Sequence, residues 1–173
     1  MAEMTGPGDD PFERLFHAQF PRLQRYLDRL SGDGELARDL AQESFLRLYR
    51  RSGLPDRPEA WLITVATNLW RNARAARGRR RRLLGPARAP ELVGDPSPSP
   101  AHATLAAEAG VRVRAALAQL PDRDRELLLL LAEGYRYREI AEATGIAEAS
   151  IGTLLARAKR AFRAAYPEDP DAP

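Results

Sequence analysis

The stretch GPARAPELVGDPSPSPAHA, from Gly85 to Ala103, limits the possible folds more than any other part of the chain. It is rich in Pro, Gly, Ser and Ala and poor in large apolar side chains, so it cannot bury enough surface to fold alone. It therefore cuts the 173 residues into two blocks, each of which must build its own small core. Residues 85–104 read as a flexible linker between domains at 11–84 and 105–166.

Both blocks carry helical periodicity. Phe12, Leu15, Phe16, Phe20, Leu23, Tyr26, Leu27 and Leu30 recur three or four residues apart, the spacing of one helix face. A break follows at Ser31 to Gly34, with Asp33 as a cap, and then a second stripe of Leu36, Leu40, Phe45, Leu48 and Tyr49. A third segment begins after Pro58 with Trp61, Leu62, Val65, Leu69 and Trp70 on one side, and its later part turns basic. Beyond the linker, periodicity returns at Leu105, stops at Pro121 and resumes at Asp122 or Asp124, with Gly134 as the residue that ends that helix. No segment alternates as a strand does, so the expected fold is all-α, two small helical domains, the second of four helices.

Composition excludes several classes of function. The chain has no cysteine, which removes disulfides, thiolate metal sites and cysteine nucleophiles. Its two histidines, His17 and His102, have neither metal-ligand spacing nor a paired nucleophile, so no metal, cofactor or enzymatic activity is expected. The longest apolar run, Leu127 to Ala132, is far shorter than the ~20 residues of a membrane span. The acidic start MAEMTGPGDDPFE lacks an apolar signal core, and the expected location is cytoplasmic, without membrane insertion. A net charge of +3 decides nothing by itself; the distribution of charge does.

In GYRYREIAEATGIAEASIGTLLARAKRAF, Gly134 to Phe162, a helix, a tight corner and a second helix follow one another. Ala141 permits close approach, Gly145 suits the corner, and Ile140, Ile146, Ile151 and Leu154 face inward, which is the pattern of a helix-turn-helix. An ordinary αα-hairpin shares much of it. If the second helix enters a major groove, Glu148, Ala149, Ser150, Gly152 and Thr153 meet base edges, and Arg157, Lys159, Arg160 and Arg163 meet phosphates. The rival for those cations is a solvated helix face.

RNARAARGRRRR, Arg71 to Arg82, contains no acidic residue and should attract a polyanion, although localisation tags and disordered arms share such runs. Just before it, Trp61, Asn68 and Trp70 combine flat apolar faces with an amide, which suits unstacked bases. A core role is the competing reading of the tryptophans.

DLAQESFLRLYR, PEAWLITVATNLWRNARAARGRR and LPDRDRELLLLLAEGYRYREIAEATGIAEASIGTLLARAKRAF together resemble a bacterial RNA polymerase sigma factor of the extracytoplasmic-function type. The resemblance implies a protein that binds core RNA polymerase, recognises promoter DNA and helps to open it. It implies that Asp39, Gln42, Glu43, Phe45 and Leu46 meet the clamp of the largest polymerase subunit. It also implies that Trp61, Asn68, Arg71 and Arg74 engage the downstream promoter element as a single strand, with a flipped base near Trp61 and Asn68. The helix-turn-helix would read the upstream element and touch the flap of the second-largest subunit. Many members of the family are held by an anti-sigma factor. The recognition helix departs from the family pattern, with Gly152, Thr153 and Leu154 where Lys-Ser-Arg is common, and Ala147 in place of a polar cap. The rivals are a response-regulator-like DNA-binding protein, which would bring a receiver domain of alternating strands and helices, and a helical interaction protein that binds polymerase or an inhibitor without reading promoters.

Overall fold

The computed structural model describes residues 10–84 and 105–166; the expected linker at 85–104 lies outside the described residues, as does the tail from residue 167. The chain divides into two compact units, Met1–Leu92 and Val93–Pro173. Every regular element among the described residues is an α-helix.

The first unit contains α1 (Pro11–Ser31), α2 (Gly34–Tyr49) and α3 (Pro58–Leu84). Proline at its first position suits α1, since a missing N–H there forfeits no intrahelical bond. Asp10 precedes it and accepts a hydrogen bond from the Phe12 N–H at 3.0 Å. The corner between α1 and α2 is built as the spacing anticipates. Gly32 takes the left-handed conformation, φ 69°, and Asp33 caps α2 by accepting from the Leu36 N–H at 3.0 Å. The second carboxylate oxygen of Asp33 accepts from Arg77 Nη2 of α3 at 2.9 Å. The Leu36 N–H, and after it the Arg77 guanidinium, hold the Asp33 carboxyl below its ordinary value of 3.8.

Asp33→Ala should therefore lower the stability of this unit by about 1 kcal/mol, the usual value of a helix cap. The folded-state pKa is depressed, so the stabilisation is complete above the unfolded value and disappears as pH falls through the folded one. Wild type and variant should then converge only in acid, below about pH 4. Both tryptophans of the chain, Trp61 and Trp70, lie in α3, so thermal or urea unfolding followed by tryptophan fluorescence reads this unit alone.

Leu23, Tyr26, Leu27 and Leu30 of α1 pack with Ala37, Leu40, Ala41, Phe45 and Leu48 of α2 and with Ala60, Leu62, Ile63, Ala66 and Trp70 of α3. One polar pair is buried among them, the Tyr26 hydroxyl 3.2 Å from the Thr67 hydroxyl. Pairing each hydroxyl with the other removes the penalty of burying it unsatisfied. The inner face of α3 thus differs from the expected stripe: Leu62 and Trp70 are buried, but Trp61, Val65 and Leu69 are only half-buried. Small Ala60, Ala66 and Thr67 share the buried face with Leu62, Ile63 and Trp70, while Trp61, Val65 and Leu69 lie at its flanks. From Arg74 to Arg80 every residue of α3 is exposed, so the basic segment continues a helix whose first half alone is anchored in the core.

The second unit contains α4 (Leu105–Gln119), α5 (Asp122–Ala132), α6 (Tyr137–Thr144) and α7 (Glu148–Ala165). Pro121 immediately precedes α5 and Gly134, φ 79°, follows its end. Leu117, Leu120, Leu127, Leu130, Tyr135, Ile140, Ile151 and Leu155 form the core. No described helix is long and apolar enough to cross a membrane.

Candidate nucleic-acid interface

The corner between α6 and α7 has the geometry of a helix-turn-helix. Gly145 adopts φ 69°, a left-handed conformation that strains a side chain with a Cβ, and its N–H and that of Ile146 both return to the Ala141 carbonyl. Ala141 is buried, as close approach of the two helices demands. On α7 the inner face is Ile151, Leu155 and Ala158, at the spacing i, i+4, i+7. Leu154 was expected to point inward, but it is only half-buried; Leu155, about 100° further round the helix, fills the core instead. Ala147 begins α7 without a side-chain cap, and its carbonyl accepts from the Ser150 N–H at 2.9 Å.

Glu148, Ala149, Ser150 and Thr153 are all exposed on the outer surface of α7, with Gly152 half-buried among them. Lys159 and Arg160 are exposed and carry no ion pair among the described residues. Arg157 is different. Its Nη2 donates to Asp124 Oδ1 of α5 at 2.6 Å, and that carboxylate is only 4% exposed. The hydrogen bond and charge of Asp124 raise the guanidinium pKa further. Arg157, expected as a phosphate contact, is thus engaged in tying α7 to α5. The 33-residue separation of the partners explains why no local pattern announces it.

In the first unit, Trp61 and Asn68 stand seven residues, two helical turns, apart on α3. Trp61 is half-buried, and the Arg51 guanidinium lies 5.3 Å from its ring centroid. Asn68 is exposed. Arg71, half-buried, follows one turn later, and the exposed Arg74 lays its guanidinium 5.5 Å from the ring of Trp70. Trp70 itself is 4% exposed and is a core residue. The face that remains available combines an aromatic ring, an amide and cations, the groups that stack on, hydrogen-bond to and neutralise an unpaired nucleotide.

On α2, Asp39, Gln42 and Leu46 are exposed and Glu43 is half-buried, so these four form one stripe at the spacing i, i+3, i+4, i+7. Glu43 accepts from Arg47 Nε at 2.8 Å. Phe45 departs from the expected contact set. It is 3% exposed, with its ring centroid 5.0 Å from that of Phe16 and 5.7 Å from that of Phe20, so its apolar surface is already used in the core. Tyr49, 71% exposed with its ring against Phe12, continues the stripe from Leu46 and was not singled out for this surface by sequence reasoning; the three-residue spacing was the signal.

Comparison with known proteins aligns with both units. A model described as sigma-70 region 2 matches residues 15–80, and one described as sigma-70, region 4, matches residues 110–162. The RNA polymerase sigma factor CarQ of Myxococcus xanthus is 38% identical over 76 residues, a stretch that covers 42% of this chain and 44% of CarQ. The alignment therefore spans under half of that relative. Among solved structures, the sigma factor RpoE crystallised with the anti-sigma factor NepR from Bartonella quintana is similar, with a TM-score of 0.68 over 91% of this chain and 98% of that one. At 22% identity the likeness concerns the fold.

Proposed function

The chain belongs to the sigma-70 family, extracytoplasmic-function type, and on that premise we propose that it binds core RNA polymerase in the cytoplasm and directs promoter-specific initiation, acting as a specificity subunit and not as an enzyme. The observation that carries this reading is the presence of region 2 and region 4 in order on one chain. A response-regulator-like protein needs a receiver domain of strands and helices, whereas the first described unit is three helices of region 2 type.

In this reading, Asp39, Gln42, Glu43 and Leu46 meet the clamp of the largest polymerase subunit, with Phe45 supporting them from beneath. Trp61 and Asn68 hold a base extruded from the opening downstream element, and Arg71 and Arg74 hold its phosphates. Extrusion removes stacking and pairing, and a fitted pocket offsets that loss. Glu148, Ala149, Ser150, Gly152 and Thr153 face the upstream major groove, Lys159 and Arg160 its phosphates, and the same unit meets the flap of the second-largest subunit. The domains are 11–84 and 105–166, joined by the linker at 85–104. An anti-sigma factor is a natural further partner, since the structurally similar RpoE was crystallised with one.

Run-off transcription by core polymerase with this chain on a pool of genomic promoters tests the proposal. Initiation at a defined set of sites is the expected result; polymerase binding without specific initiation would leave only the interaction-protein reading. Arg160→Ala should weaken duplex binding similarly for all sequences and lower the slope of log K against log salt by roughly 0.9, the value of one phosphate contact.

A further inference from the structure

Resting on the base capture proposed above, we infer that Arg51, in the segment between α2 and α3, is a competitive cover for Trp61. Its guanidinium takes the ring face on which an extruded base would stack, and every capture must first displace it. The observation that carries this is the guanidinium lying over the Trp61 ring, 5.3 Å from its centroid. A stacked base needs the same layer, so one face of the ring cannot hold both. Trp61 is half-buried, between the core residues Ala60 and Leu62, so only part of its ring is open to any ligand.

Two features make the contact exchangeable. Arg51 is exposed and has no ion pair among the described residues, whereas Arg47 and Arg77 of the same unit each donate to a carboxylate. Its main chain is held, because its N–H donates to the Leu48 carbonyl at 3.1 Å and its carbonyl accepts from the Gly53 N–H at 3.0 Å. The side chain alone has to move. A cation over an exposed aromatic ring is favoured roughly 2- to 5-fold, whereas a base stacked on such a ring is favoured roughly 5- to 150-fold. The base therefore displaces the guanidinium, and its net gain is reduced by what the cover held. The cover leaves before any base arrives, so its cost is common to all four bases and cancels from the preference among them. It raises the threshold for capture without choosing the base.

The cover can be separated from the charge of Arg51. Loss of a cation weakens every complex with DNA, whereas an uncovered ring strengthens only complexes with an unpaired base. The probes are a promoter duplex enriched from a randomised library by the wild-type chain assembled with core polymerase, and the same sequence with a mismatched bubble over the downstream element. Arg51→Ala should raise the ratio of bubble to duplex affinity roughly 2- to 5-fold, with base preference in the bubble unchanged. In a Trp61→Ala background the same substitution should leave that ratio unaltered, because there is no ring to uncover. A ratio that stays level or falls with Trp61 present, or that rises equally without it, would overturn the inference and leave base capture intact. Wild-type protein that binds the bubble no more tightly than the duplex would overturn base capture, and the cover with it.

Discussion

Arg157→Ala is expected to destabilise the second unit measurably, whereas Arg160→Ala, three residues later on the same helix, should leave its stability close to that of the wild type. The difference follows from their surroundings. Arg157 donates at 2.6 Å to a carboxylate that is 4% exposed, and truncation strands that carboxylate in the core without its guanidinium. Removing one partner of a buried pair is more damaging than removing both, so Asp124→Leu in the same chain should recover much of the loss. Half of the Arg157 side chain is exposed, which keeps the expectation below the range for a fully buried pair. The unit contains no tryptophan, so the measurement is hydrogen exchange in peptides from α5 and α7. Equal protection in both variants would mean that water replaces Arg157 without loss. The contrast also corrects the interpretation of DNA-binding data. A binding defect of Arg157→Ala accompanied by faster exchange in α5 is a folding defect, while the defect of Arg160→Ala is electrostatic.

Asn68→Ala should reduce promoter opening about 10-fold or more while changing closed duplex binding less than 2-fold, as expected for a contact made only after a base has left the stack. Asn68 is exposed and is absent from the buried core, so its truncation should leave the tryptophan-monitored unfolding of the first unit unchanged. Permanganate reactivity of unpaired thymines, read beside equilibrium binding of the same promoter, separates the two steps. A preopened bubble template removes the cost of unstacking, and on it the variant should regain part of its activity. Equal loss in binding and opening would assign Asn68 to duplex recognition and remove it from the base pocket.

The features that were legible in the sequence are those governed by residues close together in the chain. Asp33 as a cap depends on a short side-chain acceptor, and Gly145 as the corner and Gly134 beyond the end of α5 depend on left-handed backbone that few residue types adopt, so local chemistry announces all three. Facing was harder. Leu154 and Leu155 are the same residue type one position apart, and only the shape of the space left by α5 and α6 decides which is buried. On α3, a pattern drawn from large apolar residues missed that Ala60, Ala66 and Thr67 are buried, since small residues contribute little to a hydrophobic stripe. Phe45 sat among exposed contact residues for the complementary reason: position along α2 was clear, but burial depends on the rings of Phe16 and Phe20, more than twenty residues upstream. The pairing of Arg157 with Asp124 joins residues brought together only by the fold.

The two oxygens of Asp33 have separate tasks, one holding the start of α2 and the other holding Arg77 of the basic helix. An anion that draws Arg77 away competes for the second oxygen only. The cap survives the exchange, and Asp33 remains in place to take the guanidinium back when the anion leaves. Arg77 can thus leave Asp33 without loosening the cap beside it, because the bond that holds the start of α2 is made by the other oxygen.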